Sequence, residues 1–297
     1  MDWDKLRVFH AVAEAGSFTH AGETLNLSQS AVSRQISGLE DSLRVPLFHR
    51  HARGLILTEQ GEVLYRTTRE IFAKLAIAEA LLSEGRDTPK GPLTLTTTVA
   101  FGSHWLTPHL KDFAETYPEI NLSVVVDDQE LDLSMREADV AIRMTPPRQP
   151  DLIQRHLITI SFHIYAAPGY LQRHGTPQSV AELAAHRLIV YGQTQHPPFP
   201  EVHWLEKLVT SEAGTTPAMT LAVNNYHAIF QAVVHGIGIA ALPDYMARED
   251  DTLVRLLPAL DGPKVPAYFV YPEELRASKR IAVLRDYLLQ QVAGTSF

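Results

Sequence analysis

Residues 16–48, GSFTHAGETLNLSQSAVSRQISGLEDSLRVPLF, decide how the N-terminal part of the chain folds. They read as two short helices on either side of the turn Asn26-Leu27-Ser28-Gln29. Ser17 stands where a helix needs an N-cap oxygen, and Phe18, Ala21, Gly22 and Leu25 face inward from the first of these helices. Ala21 and Gly22 are small enough for the next helix to cross closely. Asn26 tolerates the left-handed conformation of the turn, and Ser28 caps the second helix. There Val32, Ile36, Leu39 and Leu43 are spaced four, three, four, a stripe that must be buried. Ser30, Ser33, Arg34 and Ser37 fall on another face, with Gln29 at the open first turn. A helix with one buried side and Gln, Ser and Arg on the other is shaped for a DNA major groove. Arg34 can grip guanine O6 and N7, and Gln29 adenine N6 and N7, each pair discriminating by about 1–3 kcal/mol. The plainer reading of one such helix is a solvated face with Arg34 paired to an acid.

The neighbours on both sides support the DNA reading. Upstream, Leu6, Phe9, Val12 and Ala13 predict an amphipathic helix over residues 4–14, closed by Gly16. Downstream, residues 46–58, PLFHRHARGLILT, predict a two-stranded wing: Leu47-Phe48, a turn around Arg53-Gly54, then Leu55-Ile56-Leu57. Arg50 and Arg53 are placed to touch phosphates or enter the minor groove. His49 and His51 would point the same way on a strand, but no further ligand lies near them in sequence, so no metal is expected. Net charge is −8 over 297 residues, which by itself argues against nucleic acid. Residues 1–58, however, are balanced, and the local group His49, Arg50, His51 and Arg53 is basic, which is what phosphate attraction depends on.

The motifs form a long and specific string: Gly-Ser-Phe-Thr, Ser-Gln-x-Ala-Val-Ser-Arg-Gln-Ile, Leu-Glu, Pro-Leu-Phe and Leu-Thr-Glu-x-Gly. In these motifs the chain resembles the LysR-type transcriptional regulators, with a closer likeness to an alphaproteobacterial subgroup linked with oxidative stress and cell-envelope control. Family members often carry Pro where Ser30 stands here, so a contact from its hydroxyl is not inherited from them. The chain has no cysteine, which removes disulfides, thiolate zinc sites and the redox sensing proposed for some members of that subgroup.

From Glu59 to Ser83 there is no Pro, and Leu64, Thr68, Ile71, Leu75, Ala78 and Leu82 alternate at four and three. Such a seam on a long helix needs a partner. The resemblance implies that this helix pairs antiparallel with its twin to make a dimer, and that dimers build a homotetramer. Packing onto the chain's own regulatory domain is the alternative. Residues 84–92, EGRDTPKGP, break the helix and read as a hinge.

Beyond Pro92, strands and helices alternate, which predicts an α/β domain with mainly parallel sheets. The expected elements are strands at 93–98, 120–126 and 140–144, a helix marked by Leu106, Leu110 and Phe113, and a short helix at 132–137. After a segment around 158–167 come a capping box at Ser179 to Glu182 before a helix, strands at 187–191, 219–223 and 237–241, and a helix at 225–235. A strand at 268–271 crosses back and a helix at 274–292 ends the chain. Two lobes joined by two crossings resemble the periplasmic-binding-protein architecture of LysR sensing domains. The full expectation is an α/β protein with an N-terminal winged helix-turn-helix (1–58), a linker helix and hinge (59–91) and a two-lobed regulatory domain (92–297). Lobe I is about 92–161 and 268–297, lobe II about 162–267.

The resemblance places an effector between the lobes, at strand C-terminal ends and helix N-termini. The residues there are Thr98, Phe101, Gly102, Ser103, Asp128, Arg143 and Asn225. Thr98 and Ser103 are equally well read as helix caps, and Arg143 as the partner of Asp127 or Asp128. His104 would line or cover the pocket. Gly236 to Ala240 resembles a glycine-flanked family strand, read as close packing. Backbone N–H groups there suit a carboxylate or other anion, whereas Asp127 and Asp128 at the pocket mouth disfavour a strongly anionic ligand unless neutralised, so the sequence leaves both charges open.

No G-x-S-x-G, Walker loop or H-E-x-x-H occurs, so no catalytic residue and no cofactor is expected and the chain is not read as an enzyme. The acidic start Met1-Asp2-Trp3-Asp4 is no signal peptide, and no run of 18 apolar residues could span a bilayer. A transport binding protein would need such a signal and no DNA module. The expected protein is cytoplasmic: a sequence-specific DNA-binding regulator whose C-terminal domain senses a small molecule and controls oligomer geometry. Its partners are double-stranded DNA, the effector, itself and RNA polymerase, with no membrane. The alternative is a constitutive regulator whose second domain only oligomerises.

Overall fold

The computed structural model describes residues 2–51, 54–83, 88–147, 149, 151–192, 197–215, 219–248 and 252–294. Its chain divides into two units, Met1–Leu82 and Ser83–Phe297.

In the first unit, α1 (Trp3–Ala15) buries Val8, Phe9 and Val12 and ends where the Gly16 N–H, at φ +60°, donates to the Val12 carbonyl. Helix α2 (Phe18–Leu25) starts at Ser17, whose hydroxyl accepts from Thr19 N–H, and stops at Asn26 with φ +55°. Helix α3 (Gln29–Leu43) starts at Ser28, whose hydroxyl accepts from Ala31 N–H, and buries Val32, Ile36 and Leu39. These stripes meet Leu47 and Phe48 in one core, where Phe9 and Phe48 lie 5.4 Å apart between ring centres. Strands β1 (Phe48–His51) and β2 (Gly54–Leu57) pair antiparallel as the wing.

Two of the motifs have a mechanical reason. One oxygen of Glu40, on α3, accepts the backbone N–H groups of Leu47, at 2.8 Å, and Phe48, and so fixes the entry to the wing. Thr58 receives the Gly61 N–H on its hydroxyl and donates that hydroxyl to the Pro46 carbonyl, tying the start of α4 (Glu59–Ser83) to the wing. A side chain at Gly61 would overlap the Leu47 carbonyl oxygen, so the Leu-Thr-Glu-x-Gly string needs its glycine. The seam of α4 is divided. Thr68 is buried, its hydroxyl 3.4 Å from His10 Nδ1, whereas Leu75 is 43% exposed. Phe72 stacks on His10 and packs on Trp3, so the early turns of α4 lean on α1 of the same unit. The side chains of Ala78 and Leu82 lie outside the described residues.

The second unit is built on one mixed sheet. Strand β3 (Gly91–Thr97) is followed by a helical run that is π-type over Phe101–Leu106 and 3-10 over Thr107–Leu110 before becoming α5 (Lys111–Thr116). Then come β4 (Ile120–Val126), β5 (Val140–Arg143), β6 (Leu152–Ala166), α6 (Pro168–His174) and β7 (Leu188–Tyr191). They are followed by α7 (Trp204–Ala213), β8 (Met219–Val223), α8 (Tyr226–Val234), β9 (Ile239–Pro243) and α9 (Asp244–Arg248). Strands β10 (Val254–Leu256) and β11 (Lys264–Pro272) precede α10 (Lys279–Gly294). The strand order is β4-β3-β5-β11-β6-β9-β7-β8, with β10 beside β6. Pairing is parallel within each lobe, β3 with β4 and β5, β7 with β8 and β9. It turns antiparallel where β6 and β11 run between the lobes, paired from Lys264↔Ser161 to Pro272↔Leu152.

Several expectations change here. The sheet is mixed rather than mainly parallel, because the two crossing strands run against each other and against β5 and β9. Residues 158–167 belong almost entirely to the 15-residue β6. The expected helix at 132–137 is a turn: the Asp132 carboxylate accepts from Ser134 and Met135 N–H, and Arg136 adopts φ +59°. The capping box forms, Glu182 N–H donating to the Ser179 hydroxyl, but it heads only a 3-10 segment, Ala181–Ala185. The last helix starts at Lys279, after a 3-10 turn at Glu273–Leu275. Helix α7 was not anticipated.

Candidate functional site

The first surface is α3. Gln29, Ser30 and Arg34 are exposed, and Ser33 and Ser37 are half-buried, while the opposite stripe is fully buried. Ser28 spends its hydroxyl on the Ala31 N–H at 3.2 Å and on Ser30 Oγ at 3.1 Å, so its first task is capping. Arg34 has no ion-pair partner among the described residues, so the plainer reading of this face finds no acid to carry it. The Arg50 side chain and all of Arg53 lie outside the described residues. Among the described residues no group of three or more metal-ligating side chains exists.

The second feature is a crevice in the C-terminal unit, taking in about 340 Å³ of space that is partly open to solvent. Lobe I contributes Thr98 and Ala100 beyond β3, Asp128 beyond β4 and Met144 beyond β5. The crossing strands add Ile160, Phe162 and Val265. Lobe II closes it with Pro198, Phe199, Tyr226, Pro243 and Tyr245. These are strand C-terminal ends and the starts of α8 and α9, the crevice where open α/β sheets bind ligands. The lining is aromatic: Phe162 lies 5.1 Å from Phe199 and 5.3 Å from Tyr226, and the Phe199 and Tyr226 rings are near parallel. Asp128 is its one acid among the described residues. Its Oδ1 accepts the Val99 N–H at 3.0 Å. Burial pushes the Asp128 carboxyl above the ordinary carboxylate range, and neighbouring Asp127 adds to this against the Val99 hydrogen bond. Burial, and the Asp128 charge after it, raise the Tyr191 phenol; the same two influences, with burial first, help raise Tyr226.

Of the seven residues expected around an effector, Thr98 and Asp128 line the cavity. Phe101 is buried in the core behind it, against Trp105 and Tyr245. Gly102 is a packing residue, since a side chain there would collide with Val126 of β4. Ser103 is exposed and Asn225 caps α8 through the Ala228 N–H; neither is among the described lining residues. Arg143 pairs with neither Asp127 nor Asp128: it donates to the Leu131 carbonyl at 2.6 Å and sits 3.7 Å from Glu130. His104 meets His227 of α8 instead, Nε2 to Nδ1 at 2.7 Å, a direct bridge between the lobes. The reading missed Phe162, Phe199, Tyr226 and Tyr245. Phe162 was signalled by sharing a strand face with Ile160. Phe199 sits in the Pro-rich stretch 197–200, which carries no element pattern.

Residues 3–62 match the family described as bacterial regulatory helix-turn-helix protein, lysR family, and residues 86–293 match the LysR substrate binding domain. The chain belongs to the LysR family of transcriptional regulators. The HTH-type transcriptional regulator CrgA of Neisseria meningitidis is 31% identical over 298 residues, covering 98% of this chain and 97% of that one. DmlR of Escherichia coli K12, also an HTH-type transcriptional regulator, is 30% identical and covers 97% of this chain and 94% of its own. The solved structure of CrgA has a TM-score of 0.60 at 29% identity, covering 98% of this chain and 99% of that one. This LysR regulator therefore binds DNA through its helix-turn-helix and carries an effector-type domain behind it, and these relatives are regulators rather than enzymes. The comparisons show the family and no subgroup within it. No described helix is long and apolar enough to cross a membrane.

Proposed function

We propose that α3 lies in the major groove of the operator, with Gln29, Ser30, Ser33, Arg34 and Ser37 toward base edges and Ser28 near the backbone. Arg50 and Arg53 of the wing take phosphates or the minor groove. The observation that carries this is the sidedness of α3: Val32, Ile36 and Leu39 wholly buried, Gln29, Ser30 and Arg34 in the open. The working divisions are 1–58 for DNA, 59–91 for pairing and 92–297 for sensing, the last in lobes of about 92–161 with 268–297 and about 162–267. Helix α4 joins two copies into a dimer, and the dimers assemble into a tetramer, in the cytoplasm; exposed Leu75 supports the pairing through α4. An effector in the cavity between the lobes, touching Thr98 and Asp128, shifts that assembly and its dealings with RNA polymerase.

A footprint on the DNA flanking the gene, with and without ligand, tests the reading. Specific protection should appear, and Arg34→Ala should lose it while retaining salt-dependent binding. An Arg34→Ala protein with unchanged sequence preference removes Arg34 from the base contacts. Protection that no metabolite alters, together with a melting temperature that none raises, assigns the second domain to assembly alone.

A further inference from the structure

We propose that the effector is a cation, a protonated amine or amidine on a compact aromatic or apolar body, with Asp128 as its counter-ion. This rests on the interlobe cavity being the effector site. Its lining among the described residues holds one carboxylate and no Lys, Arg or His. Arg143, the cation expected at the effector site from the sequence, is committed to Glu130 and the Leu131 carbonyl. An anionic ligand would therefore meet a negative charge with no cationic side chain among the described lining residues to offset it.

One of the first-turn amides that an effector carboxylate could take is already filled. Val99 N–H, in the first helical turn after β3, points at Asp128 Oδ1. The protein thus supplies its own anion to this amide. The other oxygen, Oδ2, has no partner among the described residues and belongs to a side chain that lines the cavity. It is an acceptor awaiting a donor. Burial that raises the Asp128 pKa makes the lone carboxylate costly, and a bound ammonium offsets that cost through a charge-assisted hydrogen bond. Tyr226 and Tyr191 keep their phenol protons next to this charge, so neither adds a second negative group. The stacked Phe199 and Tyr226 rings, with Phe162 beside them, give the apolar body a surface and a cation a π face.

The experiment uses the full-length protein at pH 7.5 with three probes of one shape: 2-phenylethylamine, 2-phenylethanol and phenylacetate. Affinity is read by calorimetry, and occupancy by the methyl resonance of Met144, which lines the cavity and is one of five methionines. The amine should shift the Met144 signal and bind at least tenfold more tightly than the alcohol, with phenylacetate weakest. Asp128→Asn should erase the advantage of the amine over the alcohol. If the alcohol or phenylacetate moves Met144 and binds as well as the amine, the cation is overturned while the cavity stands as the effector site. If no probe moves Met144, both the cation and the cavity are overturned. An amine preference that survives Asp128→Asn overturns the counter-ion.

Discussion

At the scale of the residue, Arg34 and Asp128 make the sharpest expectations. Arg34→Ala removes a two-bond grip on one base pair, so operator affinity should fall by about 1–3 kcal/mol, roughly 5- to 150-fold. Affinity for random DNA should hardly change in a salt-matched gel shift, because base contacts specify while phosphate contacts position. A uniform loss on both DNAs would move Arg34 to the backbone. Asp128 makes a prediction about stability. Its carboxyl holds a proton more tightly in the folded protein than in the unfolded chain, so its contribution favours folding at acid pH and is lost as pH rises through the folded value. Asp128→Asn, which keeps an oxygen for Val99, should raise the melting temperature of the ligand-free protein at pH 7.5. The gain should vanish below the ordinary carboxylate value. A melting temperature that falls at pH 7.5 would show that the Val99 hydrogen bond outweighs desolvation.

At the scale of the element, the junction of wing and linker helix is fixed by Thr58 and Gly61. Thr58→Ala loses an N-cap and the bond to the Pro46 carbonyl, a cost of about 1 kcal/mol for the cap alone. Gly61→Ala drives a methyl into a backbone oxygen that no rotamer can move, so the larger loss is expected there, about 1–3 kcal/mol. Differential scanning calorimetry of the full chain should rank them in that order. Equal losses would mean that α4 slides to relieve the contact. The lobe bridge works through pH. Burial first, then His227, hold His104 below the ordinary imidazole value of about 6.5. The stability it contributes is present above that value and is lost as pH falls through the lower, folded one. Melting temperature should therefore drop between pH 7 and 5, and His104→Gln should flatten part of that drop. His10 and His186 are lowered too, also by burial first, so the flattening is partial.

At the scale of the whole molecule, assembly depends on the later turns of α4. The first half of its seam is absorbed within the unit, Leu64 by the core and Thr68 by His10, and Phe72 beside it packs on Trp3 and His10. Leu75 stays open to solvent. Leu75→Asp should lower the association state seen by analytical ultracentrifugation without changing the helical content. An unchanged mass would direct attention away from this stretch of α4. Operator affinity should fall with the dimer, since two half-sites bound together hold far more tightly than one.

The helix-turn-helix was legible in the sequence because its signals are local. Caps at Ser17 and Ser28, the left-handed Asn26 and a four-three-four stripe each act within one or two turns of chain. The 25-residue linker helix was legible for the same reason. Thr98 and Asp128 were found because strand ends in an α/β pattern can be counted. What only the tertiary structure decided depends on residues far apart in sequence meeting. Phe162, Phe199 and Tyr226 form one wall because β6 crosses between lobes, and Arg143 turns to Glu130 because a tight turn at Asp132 brings the Leu131 carbonyl to it. Periodicity tells a side chain which face to take. It does not tell which distant face will be opposite, and that pairing sets the charge and shape of the cavity.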